Sequence, residues 1–151
     1  MAIGSFAPNN KQVELYLTVY MTWFAVDEYP YADKYLYLTP ILYHIDSFFV
    51  FAGYDDNGTE SKVIGRFYVP TRTWSKAGEL KTGRYGHGAI FDGYKFIVAG
   101  GFGTLSTESC IVDGGYVTCS EGSPQLINYY YYPEMYLVET ASFCTTNIEL
   151  Q

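Results

Sequence analysis

Short apolar runs separated by turn residues make up most of this chain. Val13-Glu14-Leu15-Tyr16-Leu17-Thr18-Val19-Tyr20 partly alternates and reads as a strand, whereas Asp27 to Lys34, interrupted by Pro30, reads as a loop. From about Leu38 the pattern repeats. Phe49-Val50-Phe51-Ala52-Gly53 lies on Phe96-Ile97-Val98-Ala99-Gly100 at an offset of 47 residues (96 minus 49). Thr59-Glu60-Ser61 then falls on Thr107-Glu108-Ser109, and Thr73-Trp74-Ser75 on Thr118-Cys119-Ser120, within a residue or two of that offset. Eight strands are expected, at 40–45, 48–53, 61–68 and 72–76, then 86–91, 94–100, 108–113 and 116–120. A third copy starts with Pro133-Glu134-Met135-Tyr136-Leu137-Val138 and Ser142-Phe143-Cys144 and goes no further.

Composition fixes the class. With 151 residues and 48% hydrophobic content the chain can bury one sizeable core, and its 17 Tyr and 10 Phe fit half-buried strands better than helices, so the expected fold is all-β. A net charge of −7 argues against a nucleic-acid partner, which would need clustered Lys and Arg. Seven of the nine basic residues lie between Lys62 and Lys95 and none follows, leaving the last third purely acidic. No stretch reaches the roughly 20 apolar residues of a membrane-spanning helix, and Met1 to Pro8 lacks the basic start of a secretory leader.

The sharpest local signal is Cys110-Ile111-Val112-Asp113-Gly114-Gly115-Tyr116-Val117-Thr118-Cys119. If Gly114-Gly115 are the two turn residues of a hairpin, Asp113 faces Tyr116, Val112 faces Val117, Ile111 faces Thr118 and Cys110 faces Cys119, close enough for a disulfide. In the repeat, Cys119 takes the position of Trp74 and Cys110 that of Lys62, so a covalent staple stands where the first copy has an aromatic anchor. The competing reading is a pair of buried thiols in a cytoplasmic protein, with Cys144 unpaired in either case. A zinc site fits poorly, because the cysteines and the distant His44 and His87 lack metal-ligand spacing. Asn57-Gly58-Thr59 is a glycosylation sequon on a polar loop. Asp55 to Glu60 falls short of a calcium loop, since Gly53 and Ile64 stand where its end carboxylates belong.

Tyr68-Val69-Pro70-Thr71-Arg72-Thr73-Trp74, then Arg84-Tyr85-Gly86-His87, then Gly100-Gly101, resembles kelch-repeat sequence, with Val69 where an Asp is common. The resemblance implies an incomplete β-propeller of two kelch blades plus a partial third. Residues 1–37 would form an edge or cap of unknown role, 38–80 a degenerate first blade in which Tyr54 replaces the second glycine, 81–123 the second blade, and 124–151 the partial blade or a cap. It makes Tyr68, Trp74, Arg84, His87, Gly100 and Gly101 structural residues, with Arg84 and His87 bonding loop backbone, and it implies no cofactor, metal or catalytic site. His44, in an apolar strand, reads as a satisfied core residue. Thr107-Glu108-x-Cys110, Thr118-Cys119, Pro124-x-Leu126, Tyr129, Tyr132-Pro133-Glu134, Leu137-Val138 and Phe143-Cys144 further resemble cysteine-stapled extracellular kelch proteins of marine invertebrates. That implies an extracellular location, the alternative being cytoplasmic. Because a leader is lacking, the expectation is that the chain is a fragment whose leader and earlier blades lie upstream. The expected function is a non-catalytic module for a protein partner of unidentified kind, acting through loops and exposed blade edges. The alternative is a structural matrix or filament component assembling through unfinished propeller edges, and a homo-oligomer is expected if the terminal segments leave the blade flanks bare.

Overall fold

In a computed structural model the described residues are 2–3, 12–31, 39–54, 59–123, 125–128 and 135. They form eleven strands and no helix, so none among them is long and apolar enough to cross a membrane. Strands β1 (Ala2–Ile3), β2 (Val13–Leu17) and β3 (Thr22–Val26) form a small antiparallel sheet in that order. The remaining eight form one large sheet. Strands β4 (Ile41–His44), β5 (Ser47–Tyr54), β6 (Glu60–Tyr68) and β7 (Thr73–Glu79) make a first four-stranded meander. Strands β8 (Gly88–Phe91), β9 (Lys95–Ala99), β10 (Thr107–Asp113) and β11 (Tyr116–Glu121) make a second.

The expected strands are all present, each within a few residues of its anticipated bounds, and the two expected four-stranded units stand side by side. They are also joined: the strand order β4-β5-β6-β7-β11-β10-β9-β8 continues through a parallel pairing of the outer strands, Val117 opposite Gly78 and Thr118 opposite Glu79. Glycine is needed at 78, because a Cβ there would strike the Val117 carbonyl. At the other end of the order β4 and β8 approach one another, His44 lying 4.4 Å from the Phe91 ring, so the sheet nearly closes into a barrel. The third unit, with Pro133 to Val138, Cys144 and the Tyr129 to Tyr132 run, lies outside the described residues, Met135 excepted.

The core lies between the two meanders. Phe49, Phe51 and Ile64 from the first meet Phe96, Val98, Cys110, Val117 and Cys119 from the second, with the rings of Phe51 and Phe96 edge to face at 5.1 Å. Alternation along β10 puts Glu108, Cys110 and Val112 on the inward face, and period-two side-chain direction requires that they share it. A smaller cluster of Val13, Tyr29 and Val50 with Trp74 covers the outside of the first meander. Residues 13–31 thus pack on the outside of the first unit, as a separate sheet and one loop rather than as an added strand.

The repeat is less regular in backbone than in sequence. In the second meander the left-handed pair is Gly100 (φ 69°) and Gly101 (φ 110°). In the first it is Ala52 (φ 52°) and Gly53 (φ 123°), a residue earlier than sequence alignment puts the doublet. The extra residue forms a bulge between Phe51 and Gly53, and Tyr54 escapes the left-handed position that would be costly for it. Ala52 takes that conformation instead, with its carbonyl held by the Thr39 hydroxyl at 3.3 Å.

Candidate functional site

The residues that carried the kelch resemblance divide among three places. Arg84, His87, Gly100 and Gly101 come together where the chain crosses from the first meander to the second. Arg84 is fully buried, and its five N–H donors meet five acceptors. Nε donates to the Thr82 carbonyl at 3.4 Å, one terminal nitrogen to the Gly100 and Ser106 carbonyls at 2.8 and 3.0 Å, and the other to the Ser106 hydroxyl and Glu108 at 2.7 and 2.8 Å. Glu108, also buried, accepts the backbone N–H groups of Lys81 at 2.7 Å and Thr82 at 3.0 Å through its two oxygens. Burial pulls the Arg84 guanidinium below its ordinary pKa, and the Glu108 carboxylate opposes that pull. The expectation that Arg84 bonds loop backbone holds.

His87 does not follow it. The residue is buried, with its Cβ close to Gly101, and neither ring nitrogen has a hydrogen-bond partner among the described residues. Burial, reinforced by the adjacent Arg84 charge, lowers its pKa to about 3, so the imidazole is neutral at physiological pH. Its role at the crossing is filling space.

Tyr68 and Trp74 sit elsewhere. Trp74 lies on the outer face of the first meander, its indole N–H donating to the Asp27 carbonyl at 3.0 Å and its ring 5.0 Å from Tyr29. Tyr29 fills the space over Gly65, where any side chain would collide with its ring, and burial raises its hydroxyl pKa. Tyr68 stands at the opposite end of the barrel from Arg84 and lies beneath the Arg66 guanidinium, 4.8 Å from carbon to ring centre. His44, expected in the core, is half-buried at the closing seam, because β4 ends the strand order and has β8 beside it rather than a strand hydrogen-bonded to it.

The hairpin of β10 and β11 has the anticipated register, from Asp113 opposite Tyr116 to Cys110 opposite Cys119, and the two cysteines form a buried disulfide. Gly114 and Gly115 both adopt positive φ, as a two-residue turn of this hand requires. Glu108 lies close to both sulfurs, which are already bonded to each other, while the carboxylate is held by Arg84 and two amides, so the trio is not a free ligand set. Asn57 lies outside the described residues.

One surface was not singled out by the sequence. The β2–β3 hairpin exposes Tyr16, Val19, Tyr20, Met21, Trp23 and Phe24, with Val19 at 86% and Met21 at 81%. Tyr16 and Trp23 lie directly opposite across the strands with rings 5.2 Å apart, and Tyr20 meets Phe24 at 6.5 Å. No charged residue occurs from Leu15 to Val26, while Glu14, Asp27 and Glu28 flank the run. The signal is that uncharged stretch, in which the partial alternation of Val13 to Tyr20 marks a strand but not what it exposes. Comparison with known proteins finds no family model that matches the chain and no curated protein that matches it.

Proposed function

We propose that the chain is a non-catalytic protein-binding module on a kelch-like, partial-propeller scaffold, extracellular in location, that engages its partner through the β2–β3 hairpin. The observation that carries this reading is the clustering on that hairpin of exposed Tyr16, Tyr20, Trp23 and Phe24 with Val19 and Met21, the rings meeting in pairs. Interfaces are enriched in Tyr, Trp, Phe and Met at their centres and depleted in acids there, which is the composition of this hairpin from Leu15 to Val26. The acidic flank and the net charge of −7 favour a partner whose own apolar patch is bordered by Lys or Arg. The buried disulfide is compatible with an oxidising location. The titratable groups gathered at the crossing support a non-catalytic reading, because Arg84 and Glu108 are committed to hydrogen bonds within the fold and His87 is sealed from solvent.

The test pairs Trp23→Ser and Tyr20→Ser with a panel of secreted and cell-surface proteins, binding measured by surface plasmon resonance. Binding to a panel member that falls at least tenfold in the double variant, with the urea midpoint unchanged, supports the reading; binding that survives the change removes the hairpin from it. One observation favours a second reading, a self-assembling structural component: β3 ends its sheet with an unpaired edge among the described residues, and such an edge can pair with another copy. Light scattering separates the two. Mass that grows with concentration and is insensitive to salt supports assembly, and a concentration-independent monomer supports the module.

A further inference from the structure

At the end of the barrel opposite the Arg84 crossing, the β4–β5 and β10–β11 turns border a cavity of about 230 Å³. Its lining combines one cation with a largely apolar wall: Arg66, Ser47 and, at the rim, Asp46 supply charged and polar groups, and His44, Phe49, Tyr68 and Val112 much of the rest. Arg66 is held in place from several sides. Its Nε donates to the buried Ser47 hydroxyl at 2.9 Å, its carbon lies over the Tyr68 ring, and it packs so closely on Gly115 that a Cβ there would strike the guanidinium. Nothing described accepts from its terminal nitrogens, and no carboxylate among the described residues lies within ion-pair distance. Asp46, on the same rim, accepts from the Tyr43 hydroxyl at 3.4 Å instead. A fixed guanidinium with its Nε satisfied keeps both terminal NH2 groups, and one N–H from each, side by side, meets the two oxygens of a carboxylate.

We propose that this cavity binds a small organic carboxylate, its charged end on Arg66 and its apolar body against Phe49, His44 and Val112. The volume is below the roughly 300–1,000 Å³ of pockets that take drug-sized ligands, which restricts the occupant to one ring or a branched aliphatic group. Two sources carry this chemistry, a free carboxylic acid and the C-terminus of a peptide ending in an apolar residue. The site is separate from the β2–β3 hairpin and does not depend on it.

The experiment is a titration of the full, 15N-labelled chain, disulfide intact, with sodium phenylacetate, with neutral phenylacetamide, and with a short peptide ending in Phe. The expected result is saturable shifts of the Ser47, Arg66, Gly114 and Gly115 amides with phenylacetate, affinity at least tenfold weaker for phenylacetamide, and at least tenfold loss in Arg66→Gln. A peptide that binds more tightly than phenylacetate assigns the natural ligand to a chain terminus, and the reverse assigns it to a free acid. The absence of saturable shifts, shifts centred elsewhere, or equal affinity for acid and amide would overturn the proposal. The acid-against-amide comparison uses the unaltered chain, so it decides the question even if Arg66→Gln fails to fold.

Discussion

Arg84 and Arg66 sit at opposite ends of the same barrel and have been given opposite environments. Arg84 is sealed at the crossing with every donor satisfied and a buried carboxylate against it. Arg66 is half-buried at the hairpin end, pinned by one serine and one aromatic ring, with its terminal nitrogens unengaged by the described residues. Burying a cation is strongly unfavourable unless it is paired and fully bonded, so the first arrangement is structural: the crossing loop is shaped around the guanidinium. The second contributes little to the fold and leaves binding capacity over. One end of the molecule is closed on itself, and the other is open.

The contrast breaks most readily at Glu108. Glu108→Ala leaves the Arg84 charge and two loop amides without their acceptor and is expected to lower unfolding free energy by about 3–5 kcal/mol, read from the urea midpoint. The double change Arg84→Met with Glu108→Leu should recover much of that loss, since it removes the orphaned charge together with its partner. Cys110→Ser with Cys119→Ser comes next, at roughly 2–3 kcal/mol for a closed loop this short, and less if the hairpin persists unfolded.

The third effect depends on pH. The unfolded chain protonates His87 near pH 6.5 and the folded chain only near 3, so between those values the unfolded state takes up more protons. Stability is therefore full above about pH 6.5 and falls as the solution is acidified, by about 2 kcal/mol at pH 5 at ~1.4 kcal/mol per unit. His87→Leu should flatten that part of the pH profile, and an unchanged slope would show that His87 is not its source. Arg66→Gln is expected to move the urea midpoint least, by under about 1 kcal/mol. If it costs as much as Glu108→Ala, the two ends are alike and the comparison fails.

Strands, their order within each meander and the Cys110–Cys119 register were legible because they depend on local signals: apolar runs, turn glycines and a symmetric hairpin. The pairing of β7 with β11 was not, since it joins residues far apart in sequence through two residue pairs and leaves no periodic mark. Glu108 lay between these cases. It belonged to the repeated Thr-Glu-Ser and shared strand parity with Cys110, which placed it inward, but its aligned counterpart Glu60 is only half-buried, so the repeat gave no reason to treat it as buried. Tyr29 carries no such mark, because a loop residue has no period, and only the bare Gly65 beneath it reveals the space it occupies. Arg66 lies two residues before Tyr68, where the motif that carried the resemblance begins, and the motif assigns that position no role.

The parallel seam also bears on how the molecule assembles. Each meander is built from neighbouring strands and can form from contacts close in sequence, whereas β7 and β11 must find one another across the whole second unit. Long loops are closed late because their entropy is lost before the contacts that reward it are made. With two residue pairs, this is the shortest ladder in the large sheet. Among the hydrogen-bonded junctions of the sheet it is therefore the last to form and the first to open. Backbone amides along the seam should exchange with solvent sooner than those of the Phe51 and Phe96 strands, by openings far smaller than global unfolding.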